Sequence, residues 1–239
     1  MIAAAHNQWA DRLFGLYLNR LLSRHFYAVH LLGEPPKPNP DNPLLLLPNH
    51  CSWWDGFFIY FLNRKILYRK PYLMMLEDQL QKNRFFKYLG AYSIEPQKQS
   101  DLKNKLQYTT DLLNNGDGSI LVCIFPQGEL LPWHQRPLII KRGIPFLTQQ
   151  LHKQIDLCYL GIRIEFGNQQ RPEIFLKFSP VKQTGPGESI HSQQIGSELE
   201  QLLDQVQTEI ASGCKGKLLF SGKKSINDRN YRLRRRTTS

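Results

Sequence analysis

Four consecutive leucines, Leu44 to Leu47, run between Pro43 and Pro48 into Asn49-His50-Cys51-Ser52-Trp53-Trp54-Asp55-Gly56. A short, unbroken apolar run bounded by prolines reads as a buried strand. His50 therefore lies where a strand hands over to a turn. On an ideal helix, five residues rotate a side chain by roughly 500°, leaving His50 and Asp55 about 140° apart. A contact between them requires a bent entry into the next element, and Asn49, Ser52 and Gly56 suit such a turn. In that geometry Asp55 can hold one imidazole nitrogen and leave the other to take a proton.

A second stretch has the same form. Ile120 to Phe125 reads as a buried strand, and Pro126-Gln127-Gly128-Glu129 turns it. Two strand ends carrying polar turns can converge on one site in an open α/β sheet. Asn49-His50 through Asp55 resembles the His-x4-Asp motif of the glycerolipid (lysophospholipid) acyltransferases, the relatives of 1-acylglycerol-3-phosphate acyltransferase. Phe125-Pro126-Gln127-Gly128 resembles that family's Phe-Pro-Glu-Gly motif, about 75 residues later in the family's order. Between them, Gly90-Ala91-Tyr92-Ser93-Ile94-Glu95 resembles its Gly-x3-Ile block. The resemblance covers roughly residues 40 to 180.

The chain has 239 residues, 41% hydrophobic and 21% charged, enough for one sizeable core but not two ordinary domains. Its net charge of +11 favours anionic partners. Cys51, Cys123, Cys158 and Cys214 show no metal-ligand spacing and read as reduced thiols. Cys51, beside His50, reads as a small packing residue rather than a nucleophile. No segment approaches the 18 or more apolar residues of a spanning helix, and the N-terminus lacks a signal-peptide pattern.

Residues 3 to 32 read as helical, with Trp9, Leu13, Phe14, Leu16, Tyr17, Leu21, Phe26, Val29 and Leu32 apolar and Arg12, Arg20 and Arg24 on the remaining surface. That pattern fits a helix lying in a membrane interface and equally one covering the sheet. A proline-rich connector follows. Gly56 to Leu62 continues as an apolar helix or strand and, with Trp53 and Trp54, offers a wall for an acyl chain. Residues 72 to 89 read as a helical region ended by Gly90, Ala91 to Ile94 as a strand, Asp101 to Leu113 as a helix and Ser119 to Phe125 as the central strand. A helix over Ile144 to Lys153, strands over Ile155 to Phe166 and Glu173 to Ser179, a linker over 182–191 and a helix over Ser192 to Ile210 complete the body. From Lys215 onward, nine cations against Asp228 alone leave +8 of the total charge in the tail. Near an anionic bilayer each cation contributes roughly 1 kcal/mol. No nucleic-acid-binding motif accompanies the tail, so nucleic acid is not an expected partner.

These readings predict a single α/β domain, a mixed sheet flanked by helices, over 34–212. An amphipathic N-terminal segment (1–33) and a basic tail (213–239) would hold it on the cytoplasmic membrane face as a peripheral or monotopic protein. The resemblance implies O-acyl transfer from acyl-CoA or acyl-carrier protein to a hydroxyl of a lipid-like acceptor, without metal or redox cofactor. His50 would be the general base, oriented by Asp55. Asn49, Trp53, Trp54, Gly90, Phe125, Pro126, Gln127, Gly128 and Glu129 would bind substrate, with backbone N–H groups around Gln127-Gly128 polarising a substrate oxygen. The alternatives are an orthodox 1-acylglycerol-3-phosphate acyltransferase and an inactive membrane-binding relative.

Three positions depart from the family. Pro96 stands where it has Arg after the Gly-x3-Ile block. Gln127-Gly128-Glu129-Leu130 stands where it has Glu-Gly-Thr-Arg. A Pro-x2-Pro block near Ile155 to Leu160 is missing. The first two are credited with gripping the acceptor's phosphate, and neither Pro nor Leu replaces a guanidinium fork. Glu129 would repel a phosphate unless Lys98, Arg136 or Lys141 compensates.

Overall fold

The computed structural model describes residues 1–94 and 102–224. Pro96, Lys98 and the arginines of the tail lie outside them. Helix α1 (Gln8–His25) precedes strand β1 (Ala28–Leu32) and strand β2 (Leu44–Pro48). Helix α2 (Asp55–Leu62) runs into a single π-helical turn, Asn63–Leu67, followed by β3 (Lys70–Leu76) and α3 (Glu77–Lys82). A 3-10 turn, Arg84–Leu89, leads to β4 (Ala91–Ile94), α4 (Leu102–Asn115), β5 (Ile120–Cys123) and α5 (Gly143–Gln149). Then come β6 (Ile155–Glu165), β7 (Glu173–Phe178), β8 (Lys182–Thr184), α6 (Ser192–Ala211) and β9 (Lys217–Ser221).

Among the described residues the nine strands form one mixed sheet, ordered β4-β3-β5-β2-β6-β7-β1-β9, with β8 on β6. Strand β2 is central and parallel to both neighbours, β5 and β6. That position explains the four leucines: Leu44 and Leu46 pack on one face of the sheet, Leu45 and Leu47 on the other. A parallel strand covered on both sides has no polar face to show, so its sequence does not alternate. Helices α1 and α2 cover the first face through Phe14, Leu18, Leu22 and Phe57 to Leu62. Helices α5 and α6 cover the second, with Ile144, Leu147, Ile195, Leu199, Leu202 and Leu203.

The expected helix over 3–32 ends at His25, and Ala28–Leu32 pairs parallel to β7 inside the sheet. All five residues of β1 are buried, so its apolar pattern mimics a buried helix. The expected helical region over 72–89 likewise divides into β3, a short helix and the 3-10 turn. Two flanking segments also join the sheet: β8 falls within the expected linker, and β9, in the expected basic tail, pairs antiparallel to β1. Lys215 is engaged there too, contacting both oxygens of buried Glu173 (3.1 and 3.2 Å), which also meets His30 Nε2 at 3.0 Å. No described helix is long and apolar enough to cross a membrane.

Candidate active site

The C-terminal ends of β2 and β5 bring the two turns together. The peptide after β2 does not continue into a helix; Asn49 to Trp54 form a turn, and α2 begins at Asp55. The bent entry required by the His50–Asp55 spacing is therefore present. It is organised around the Asp55 carboxylate, which has no solvent exposure. Asp55 Oδ2 accepts from the N–H groups of Cys51 (2.8 Å) and Ser52 (2.9 Å) and meets His50 Nδ1 at 2.9 Å. Oδ1 accepts from the Ser52 hydroxyl at 2.5 Å. An acid at a helix's first position also gains from the helix dipole. A carboxylate with three other donors directed at it can only accept, so the Asp55-facing Nδ1 is the donor of that pair and Nε2 is the ring nitrogen that Asp55 does not engage. The imidazole is 23% exposed and stacks on Phe125, with ring centroids 3.9 Å apart and planes 18° apart.

The second turn supports the first from below. Gln127, buried, accepts the His50 backbone N–H on Oε1 at 2.7 Å, and Leu131 N–H donates to His50 O at 3.0 Å. Gly128 has φ +73°, a conformation that favours glycine, and a Cβ there would crowd Lys141 Cγ at 3.0 Å. Its N–H, expected as an oxyanion donor, is engaged by Phe125 O at 3.0 Å. Pro126 is buried and its carbonyl accepts Lys141 N–H at 2.9 Å.

Several expected binding residues have other work. Asn49 is buried; its Oδ1 accepts from Ile162 N–H (2.7 Å) and its Nδ2 donates to Ile162 O (3.1 Å), pinning the turn to β6. Gly90 leaves the site altogether: it precedes β4, at the opposite edge of the parallel strands. At φ +101° its Cβ would meet Pro71 O at 1.9 Å, so it serves the turn into β4. Trp54 packs edge-on to Phe26 (4.9 Å), and Trp53, 66% exposed, lies against Phe57 (4.7 Å). Phe57 and Phe86 extend this aromatic wall. Glu129 is not an isolated anion; Lys141 Nζ binds its Oε1 at 2.9 Å, so the two neutralise one another. Burial and the Asp55 charge push the Cys51 thiol up to about 12, which keeps it protonated and unreactive as a nucleophile. No group of three or more metal-binding side chains occurs among the described residues.

Sequence reasoning missed Trp133 and Arg163. Trp133 Nε1 donates to Ile162 O at 2.9 Å, the same carbonyl that receives Asn49. The Arg163 guanidinium lies 4.0 Å from the Trp133 ring centroid and binds Glu165. No local motif marks either residue, because their partners are distant in sequence.

A mixed sheet that opens at β2 and β5 onto a His–Asp pair defines an α/β scaffold with a candidate site at its strand ends. Comparison with known proteins gives that class a family. A family model described as Acyltransferase matches residues 28–162, more than half of the chain. The chain is 26% identical over 127 residues to a 1-acyl-sn-glycerol-3-phosphate acyltransferase of Streptococcus pneumoniae. That match covers 50% of this chain and 45% of that protein, so the chain aligns with less than half of its relative's length. The crystal structure of the 1-acyl-sn-glycerophosphate (LPA) acyltransferase from Thermotoga maritima shares the fold. Its TM-score is 0.58 at 16% identity, over 84% of this chain and 80% of that one. This protein belongs to the Acyltransferase family.

Proposed function

We propose that this protein moves a fatty acyl group from a thioester, acyl-CoA or acyl-carrier protein, to a hydroxyl of a lipid-like acceptor, with His50 as general base. The observation that carries the reading is the Asp55–His50 pair, whose hydrogen bonding leaves Nε2 free to accept a proton. Nε2 takes the hydroxyl proton as the acceptor oxygen attacks the thioester carbonyl. The tetrahedral adduct collapses, the C–S bond breaks, and the departing sulfur takes the proton from the imidazolium. Asp55 stabilises that imidazolium from a site closed to water. The donor is a substrate, and the reaction as proposed needs no other cofactor.

An acceptor without a phosphomonoester fits this site best. Leu130 offers no cation where the resembled motif has Arg, and Lys141, one source of compensation, is held by Glu129. Arg136 is turned into its own loop, donating to Trp133 O and Gln135 O at 3.0 and 2.9 Å. A second reading, lysophosphatidic acid as acceptor, draws on the names of the two relatives above.

The site would work at a membrane surface. Helix α1 buries Phe14, Leu18 and Leu22 and turns Trp9, Leu13, Leu16 and Tyr17 to solvent beside exposed Arg12, Arg20 and Arg24. An amphipathic face with flanking cations suits an anionic bilayer, here at the cytoplasmic leaflet. Trp53 lies on the same side of the molecule.

The test is an acyl-transfer screen with acyl-CoA and acyl-carrier protein over lysophosphatidic acid and neutral hydroxylated lipids. Acceptor-dependent release of thiol is expected, with the larger kcat/KM on a neutral acceptor. Thioester left intact with every acceptor would refute the activity, and a strong preference for lysophosphatidic acid would refute the acceptor class.

A further inference from the structure

Beside the Asn49 turn, Trp133 carries two guanidiniums that the reaction above does not use. Arg163 lies one residue beyond Ile162, which Asn49 grips through both its N–H and its carbonyl. Strand alternation turns Ile162 into the core shared with α1 and α2 and Arg163 toward the α6 face. There it lies 4.0 Å from the Trp133 ring centroid, with Arg136 5.6 Å from the same ring. Trp133 is fixed by its bond to Ile162 O, so the two cations share a platform tied directly to the residue beside His50. Arg163's charge also reaches Cys51, where it opposes the upward shift of the thiol.

We propose that Arg163, carried on Trp133, binds the phosphate of the acyl donor's phosphopantetheine arm. The inference rests on the acyl-transfer reading and assigns the two rims of the site to two substrates. The apolar side, with Trp53, Trp54, α1 and α2, suits the lipid acceptor and the acyl chain. The α6 side, where Arg163 brings a cation onto Trp133, suits the phosphorylated, water-soluble part of a donor. Acyl-CoA and acyl-carrier protein share that phosphate, and a guanidinium fork is the group that reads it.

Both cations now have carboxylate neighbours. Arg163 uses Nε (2.8 Å) and Nη2 (2.7 Å) on a single oxygen of Glu165, leaving the Nη1 edge outside that pair. Arg136 Nη2 faces Asp204 at 3.5 Å, and Asp204 is 75% exposed. Glu165 thus holds the Arg163 fork in place and competes with an incoming phosphate.

Binding to the full chain tests this without requiring turnover, by titrating 4′-phosphopantetheine against pantetheine and phosphopantetheinylated against unmodified carrier protein. The phosphorylated form of at least one pair should bind about 10-fold tighter, the scale of a charged hydrogen bond. Arg163→Gln should abolish that preference, Arg163→Lys should restore part of it, and Glu165→Gln should tighten it, with Tm reporting that each variant is folded. A purely structural role for Arg163 would not produce the gain in Glu165→Gln. No phosphate preference in either pair, or a preference indifferent to Arg163, overturns the proposal. So does an Arg163→Gln effect confined to KM for a phosphorylated acceptor. Failure of the acyl-transfer reading would appear separately, as thioester left intact while 4′-phosphopantetheine still binds through Arg163.

Discussion

Asp55 receives two backbone N–H groups and a hydroxyl besides the imidazole, which makes His50 Nδ1 the donor of the pair. The pairing was legible in the sequence because strand, turn and acid lie within thirteen residues, Leu44 to Gly56. The supports were not. Gln127 reaches the His50 N–H across 77 positions and Asn49 reaches Ile162 across 113, and an amide in a turn carries no sign of such a partner. Gly90 illustrates the opposite error: its motif resemblance placed it in the site, whereas its positive φ and the Pro71 carbonyl account for it at the start of edge strand β4. Cys51 separates proximity from chemistry. With its thiol pushed up to about 12, only roughly one molecule in 10⁴ carries a thiolate at pH 8. Cys51→Ala should therefore keep acyl transfer within a few-fold of wild type, measured with the same donor and acceptor. Loss as deep as that expected for a nucleophile would show that the cysteine takes part.

At the level of elements, the strands covered on one face or both were the hardest to read. β1 and β2 are both apolar throughout, but only β2 is framed by prolines; β1 follows a helix with Phe26, Val29 and Leu32 at helix-like spacing. Strand β9 was hidden by the lysines in and around it, since a short edge strand among charges looks like a solvated tail. Its approach is tight: Gly216 has φ +61°, and a Cβ there would lie 2.2 Å from Leu31 O. The tail's two roles can be separated by length. A chain stopped after Lys224 should keep its Tm, whereas one stopped before Lys215 loses β9 and the Glu173 contact and should fall on the order of 10 °C. Equal Tm values would mean that β9 adds nothing to the sheet. On α1, Trp9→Ser with Leu13→Ser should leave Tm unchanged, since both side chains are exposed, and weaken binding to anionic vesicles. Unchanged vesicle binding would remove α1 from the membrane contact.

Over the whole molecule, helices cover both apolar faces of the mixed sheet, and the His–Asp pair sits at the ends of its central strands, with the aromatic residues of α2 on one face and Arg163 on the other. The α/β class, the central strand and the order of the two turns were all legible, because buried runs ending in Pro or Gly turns are a local signal. The allocation of faces was not, since it depends on which helix returns to which side. The account stands or falls on the His50 imidazole. The most direct measurement is the single-turnover acyl-transfer rate of His50→Ala beside wild type, each shown by Tm and circular dichroism to be folded. Removal of a general base should slow transfer by about 10²–10⁴-fold while donor binding is retained. A folded His50→Ala variant that turns over at near the wild-type rate would contradict the account.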